Sequence, residues 1–206
     1  MLKIWGRANS VNVKKVLWCC EELGLKFERV DAGMQFGVVN TPEYRRLNPN
    51  GLVPTIEDDG LVLWESHAIV RYLAAKHGEG KLWPKDLGAR ADADRWMDWT
   101  NSTFGVAYRP VFWNLIRTPA EKRDMKAVEE GAKKCGKLFG MVETALARSP
   151  FLAGNTLTMG DIPLGCFVHV WLQLPIERPK HPELEAWHKR LLERPGYGKW
   201  INMPIS

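Results

Sequence analysis

Residues 51–66 constrain this chain more than any other stretch. Two short apolar runs, one opened by Val53-Pro54 and the other spanning Leu61 to Trp64, flank Asp58-Asp59-Gly60, a turn signal that predicts an antiparallel hairpin. Glu65-Ser66 follows where a strand gives way to a helix. Hydroxyl residues favour N-caps, and Ala68, Ile69, Tyr72 and Leu73 recur at helical spacing until Gly78 stops them. A helix start carries unpaired N–H groups and partial positive charge, which suit a carboxylate. Glu65 beside it suits an ammonium group. The pair could grip the amino-acid end of a small peptide.

Upstream, Leu2 to Trp5 reads as a strand. Val13, Val16, Leu17, Cys20 and Leu23 then mark a helix that ends at Gly24, and Phe27 to Val30 reads as a second strand. Strand–helix–strand predicts a parallel pair with a right-handed crossover. Asp31 to Asn40 has no period, and Thr41-Pro42-Glu43 opens a short helix ending near Asn48-Pro49-Asn50-Gly51. Together with the hairpin and its helix this is an α/β, thioredoxin-like domain over 1–78. Residues 79–88 read as a linker, and 89–206 as an all-α domain.

In that second part, Ala89 to Arg117 predicts one long amphipathic helix with a break or kink at Pro110. Thr118-Pro119-Ala120-Glu121 has the form of a capping box for a helix running through Met125 to Leu146. Thr158-Met159-Gly160-Asp161 caps an apolar helix from Ile162 to Trp171, with Asp161 as a structural cap. Pro182 to Glu193 is the last predicted helix, ended by Arg194-Pro195-Gly196.

The net charge of +5 is interleaved along the chain, with no basic stripe for nucleic acid; it suits small anionic ligands. No apolar run is long enough to cross a membrane, and Met1 to Trp5 is too short and mixed for a signal peptide. Cys19, Cys20, Cys135 and Cys166 form no Cys-x-x-Cys pair, which points away from zinc and dithiol chemistry and towards a reducing compartment. The five histidines lack ligand spacing and read as surface residues, so no metal is expected. Most of the ten tryptophans read as core.

Several features coincide in order: Val53-Pro54 with Glu65-Ser66 eleven residues on, Thr158-x-x-Asp161 before a buried helix, and Leu184-x-x-Trp187-x-x-Arg190 ahead of Arg194-Pro195. Over essentially the whole chain this resembles the cytosolic glutathione S-transferases. Ser10 at the start of the first helix places the likeness in the serine-type branches, theta-, phi- and bacterial-like. The resemblance implies glutathione as co-substrate, no metal, a cytoplasmic enzyme and a homodimer. It implies a thiolate stabilised by Ser10, with Asn12 as a second donor. On the residues alone Ser10 is an N-cap and Asn12 an exposed first-turn residue.

By the same resemblance, Val53 and a cis Pro54 hold the middle of the peptide, and Glu65 and Ser66 its γ-glutamyl end. Val39, Asn40 and Leu52 stand where His, Lys and Gln or Lys often meet the glycine carboxylate, so that end is held weakly, or by another residue such as Gln35 or a nearby arginine. Phe36, Phe104 and Tyr108 are candidate walls for a small hydrophobic electrophile, with core packing the equal alternative. The implied function is conjugation of glutathione to small, apolar electrophiles. The same site would also serve glutathione-dependent dehalogenation, isomerisation or disulfide-bond reduction, or glutathione binding without catalysis.

Overall fold

The computed structural model describes residues 1–205. Four four-residue strands form one sheet: β1 (Leu2–Trp5), β2 (Phe27–Val30), β3 (Thr55–Asp58) and β4 (Leu61–Trp64). Their order is β2-β1-β3-β4. β1 pairs parallel with β2, Ile4 opposite Arg29, and antiparallel with β3, Ile4 opposite Ile56. The β3–β4 hairpin turns at Asp59 and Gly60, both at positive φ, as an Asp-Gly turn demands.

Helices α1 (Val11–Glu22) and α3 (Ser66–His77) pack side by side, and α2 (Pro42–Leu47) precedes the hairpin. Val13, Val16, Leu17, Ile69, Val70 and Leu73 are fully enclosed with Ile4 and Ile56 of the sheet. This is the expected thioredoxin-like domain. Residues 78–86 link it to α4 (Leu87–Trp99), which Asp86 caps by accepting the Ala89 N–H at 2.8 Å.

The helical part continues with α5 (Gly105–Phe112), α6 (Met125–Leu146), α7 (Asp161–Gln173), α8 (Pro182–Leu192) and α9 (Pro195–Trp200). Four expectations need correction. The helix starting at Leu87 does not break at Pro110. It runs on to Arg117, and five-residue π turns at Thr100–Phe104 and Trp113–Arg117 absorb the irregularity. The Thr118 capping box does not form. Asp124 caps α6 instead, accepting the Ala127 N–H at 3.0 Å, because the intervening residues make only a 3-10 turn at Ala120–Lys122.

Arg194-Pro195-Gly196, read as a stop, also starts α9, since proline is pre-set for a first helical position. The histidines, finally, are not all on the surface: His67, His169 and His181 are buried.

The buried Asp161 carboxylate accepts N–H bonds from Leu152 and Thr158 at 2.9 Å and the Thr158 hydroxyl at 3.2 Å. Burial raises its pKa to about 6 against those hydrogen bonds. The two domains share α1. Trp18 of α1 meets the edge of Tyr197 of α9 at 4.9 Å, and the Tyr197 hydroxyl donates to the Gly165 carbonyl of α7 at 2.8 Å. A Cβ on Gly165 would lie 2.8 Å from the Trp18 ring, so glycine is what permits that approach. Arg194 forks onto Glu22 at 2.8 and 2.5 Å.

Candidate functional site

The starts of α1 and α3 lie together and create the site. Ser10 stands at the N-cap of α1 with extended backbone, its carbonyl accepting the Lys14 N–H at 2.8 Å. Its hydroxyl makes no capping bond, although that is the ordinary use of serine there. Two residues on, the exposed Asn12 receives a long hydrogen bond, 3.5 Å, from the Ser66 hydroxyl of α3.

Ser66 is the first residue of α3 rather than its cap. Glu65 holds the cap position at φ 73°, a left-handed conformation that costs a non-glycine residue energy, and makes no side-chain cap. Its carboxylate is therefore left for something other than the helix amides. Neither helix has a side chain covering its first amides, so both starts carry free donors and partial positive charge.

Val53–Pro54, a cis bond, enters β3 beside these two starts. Gly6 and Gly33 lie against the Val53 side chain; a Cβ on either would come within 3.5 Å of it. Among the described residues Val53 makes no backbone hydrogen bond, so its N–H and C=O are open to a ligand. The loop before it is held from within: Tyr44 donates to the Leu52 carbonyl at 2.7 Å, and Asn48 donates to the same oxygen at 2.9 Å and to the Thr55 hydroxyl at 3.1 Å.

The candidates for a glycine end fare unequally. Leu52 is 64% exposed and apolar. Arg45, the nearby arginine, is held by the Pro49 carbonyl at 2.9 Å and the Asn40 side chain at 3.0 Å, while Gln35 is exposed.

Of the proposed wall, Phe36 is exposed, but Phe104 is fully enclosed and Tyr108 nearly so. Both belong to an aromatic stack in the helical domain: Phe104 against Tyr108 at 5.7 Å and Phe139 at 4.8 Å, and Tyr108 against Phe167 at 5.1 Å. Phe104 has no surface to offer a substrate, and its assignment to the wall is corrected to core packing. The Tyr108 hydroxyl is buried without a partner.

Several residues of the site escape a reading by pattern. Lys15 of α1 is buried, 2.9 Å from the Asn12 carboxamide oxygen and 3.0 Å from His67 Nε2. Burial lowers its pKa to about 8, against the favourable influence of Cys166 and Glu65. Burial, reinforced by Lys15 and Arg71, takes His67 down to about 2, so its ring is neutral. The His67 Nδ1 makes no regular hydrogen bond, though the Met97 backbone lies close enough to favour a proton there. The available signal was Lys14-Lys15 set between Val13 and Val16 on a helix with apolar neighbours on every side.

All four cysteines are buried and unpaired, and burial raises each thiol pKa, so none is a nucleophile for this site. Among the described residues no three His, Cys, Asp or Glu side chains are grouped to hold a metal.

Residues 1–75 match the family model described as "Glutathione S-transferase, N-terminal domain", and residues 107–195 the one described as "Glutathione S-transferase, C-terminal domain". The chain is 41% identical to glutathione S-transferase GstB of Escherichia coli strain K12, over 100% of both chains. It is 30% identical to the probable glutathione S-transferase GSTF1 of rice, over 96% of this chain and 94% of that one. A theta class glutathione S-transferase of the citrus canker pathogen Xanthomonas axonopodis pv. citri, solved with glutathione bound, superposes with a TM-score of 0.96 at 48% identity, covering 100% of this chain and 99% of that one.

Proposed function

The chain belongs to the glutathione S-transferase family, and from that premise we propose that it binds glutathione where α1, α3 and the Val53–Pro54 loop meet, and transfers its sulfur to a small, largely apolar electrophile. The observation that carries this reading is the Ser10 hydroxyl: it stands at a helix start and is not used as a cap. A free thiol has a pKa of about 8.5, so only a few per cent is thiolate near neutrality. A hydrogen bond to a charged group contributes ~1.5–3 kcal/mol and a helix start ~0.3–2 kcal/mol. At ~1.4 kcal/mol per pKa unit, the two bring the thiol to or below neutrality without a general base.

In this reading the Val53 N–H and C=O pair with the cysteinyl backbone as an added strand would. Glu65 takes the γ-glutamyl ammonium, and Ser66 with the first amides of α3 takes its carboxylate. Phe36 borders the electrophile. The glycine carboxylate meets the Leu52 side of the loop, where Arg45 must leave Asn40 or Pro49 to reach it.

The chain's exposed edge strand β4, with Leu61, Val62 and Trp64 at the surface, supports a homodimer. Light scattering should then give twice the 23.5 kDa chain mass, and a monomer mass would reject it. Four unpaired buried cysteines support a cytoplasmic location, which cell fractionation would test.

Retention on immobilised glutathione, together with turnover of a chromogenic aryl halide, tests the function. Ser10→Ala should raise the pKa of the bound thiol by about one to two units and lower kcat/KM roughly 10–100-fold near neutral pH. Unchanged rate and unchanged thiolate absorbance would remove Ser10 from the mechanism.

A further inference from the structure

Lys15 has only donors, so the atom of Asn12 that faces it at 2.9 Å must be the carboxamide oxygen. The same oxygen also receives the Ser66 hydroxyl at 3.5 Å, and Asn12 is exposed, so its amide nitrogen is left on the solvent side. The other partner of the ammonium is the His67 ring at 3.0 Å, which must accept through Nε2. The Phe167 ring lies 4.9 Å away on the α7 side.

The charged and titratable groups around Lys15 come from three helices. Lys14 is its neighbour on α1, and Cys166 faces it from α7. Glu65, His67 and Arg71 come from the cap and body of α3. Lys14 and Arg71 are cationic, His67 is neutral, and the Cys166 thiol is pushed up to about 12 and remains protonated. Asp94 and Asp98 of α4 pair with Arg71, which leaves Glu65, itself exposed, as the carboxylate that acts on Lys15. A buried ammonium so poorly balanced is costly unless a further anion completes it.

We propose that Lys15 is a positioning residue for the glutathione thiolate: it locks Asn12 with its amide N–H outward to the sulfur and sets a buried positive charge behind that amide. This rests on the reading that glutathione occupies the cleft. The same hydrogen bond then works in both directions. Lys15 polarises the Asn12 amide and strengthens its donation, and the thiolate beyond the amide favours a charged Lys15.

Lys15→Met keeps the length of the stem and removes the charge. Glutathione should still bind, the pKa of the bound thiol should rise by about one unit, and kcat near neutral pH should fall about tenfold. The rate should recover as pH is raised, which a site distorted by bad packing would not do. An unchanged thiol pKa in this variant overturns the proposal.

A measurement on the unsubstituted protein needs no variant to fold. The Lys15 Cε resonance should titrate near 8 in the free protein and higher with glutathione, but not with S-methylglutathione, whose sulfur carries no charge. Equal values with both ligands overturn the assignment of Lys15 while leaving glutathione binding intact. Failure of glutathione to bind the unsubstituted protein overturns the function itself, and with it this role.

Discussion

Lys15 also makes a statement about stability that is separate from catalysis. Its folded pKa of about 8 lies below the ~10.4 of an unfolded lysine. Between those values the unfolded chain binds more protons than the folded one, so stability rises with pH across that window. The burial cost is present in full below about pH 8 and is relieved as pH climbs towards 10. Denaturant unfolding of the ligand-free protein and of Lys15→Met should therefore give a stability difference that shifts in favour of the unsubstituted chain by up to roughly 3 kcal/mol over that range. A difference independent of pH would mean that Lys15 titrates normally. Beyond its place with Lys14 between Val13 and Val16, the sequence pattern does not single this residue out, because a lysine on an amphipathic helix is ordinarily solvated. Its burial depends on α3 and α7, elements fifty and one hundred and fifty residues away. Ser10 was legible as a helix start, whereas its unused hydroxyl was visible only in the structure.

Among the elements, those whose ends are set by local chemistry were readable. The Asp58-Asp59-Gly60 turn, the end of α1 at Gly24 and the Thr158–Asp161 box all stand where their side chains place them. Signals that compete within a few residues were not. Thr118 and Asp124 both offer caps for α6, and Asn114 decides for the second by accepting the Asp124 N–H at 2.9 Å. Pro195 can end one helix or begin another, and the choice falls to α9 because Trp18 and Glu21 are there to receive it. Asp161→Ala would orphan the Leu152 and Thr158 amides in the interior, at ~1–3 kcal/mol for each buried unsatisfied group. A loss of about 2–5 kcal/mol should appear in denaturant unfolding, with thiol activation unchanged at permissive temperature. Unaltered stability would show that this box is dispensable.

For the whole molecule, the decisive contacts join the domains through α1. Arg194→Met would leave the Glu22 carboxylate, 8% exposed, with Trp18 as its remaining partner at 2.8 Å. Because Arg194 is itself 35% exposed, the cost should fall below the ~3–5 kcal/mol of a fully buried pair, at roughly 1–3 kcal/mol. Unfolding should also lose cooperativity, the two domains melting apart when followed by separate probes. Coincident transitions with unchanged midpoint would deny Arg194 that role.

The docking of α9 on α1 has a consequence for how the protein is made. Trp18 leaves the ribosome long before Tyr197, which covers it. Throughout synthesis the helix that carries Ser10 therefore has one apolar face bare, and the opening domain cannot reach its final packing while the chain is being extended. Contacts between residues this far apart slow folding and leave the unfinished chain prone to association. The cover over α1 is thus completed only after residue 197 has been made, and a chain cut short before it would carry Ser10 on a helix whose Trp18 face is bare.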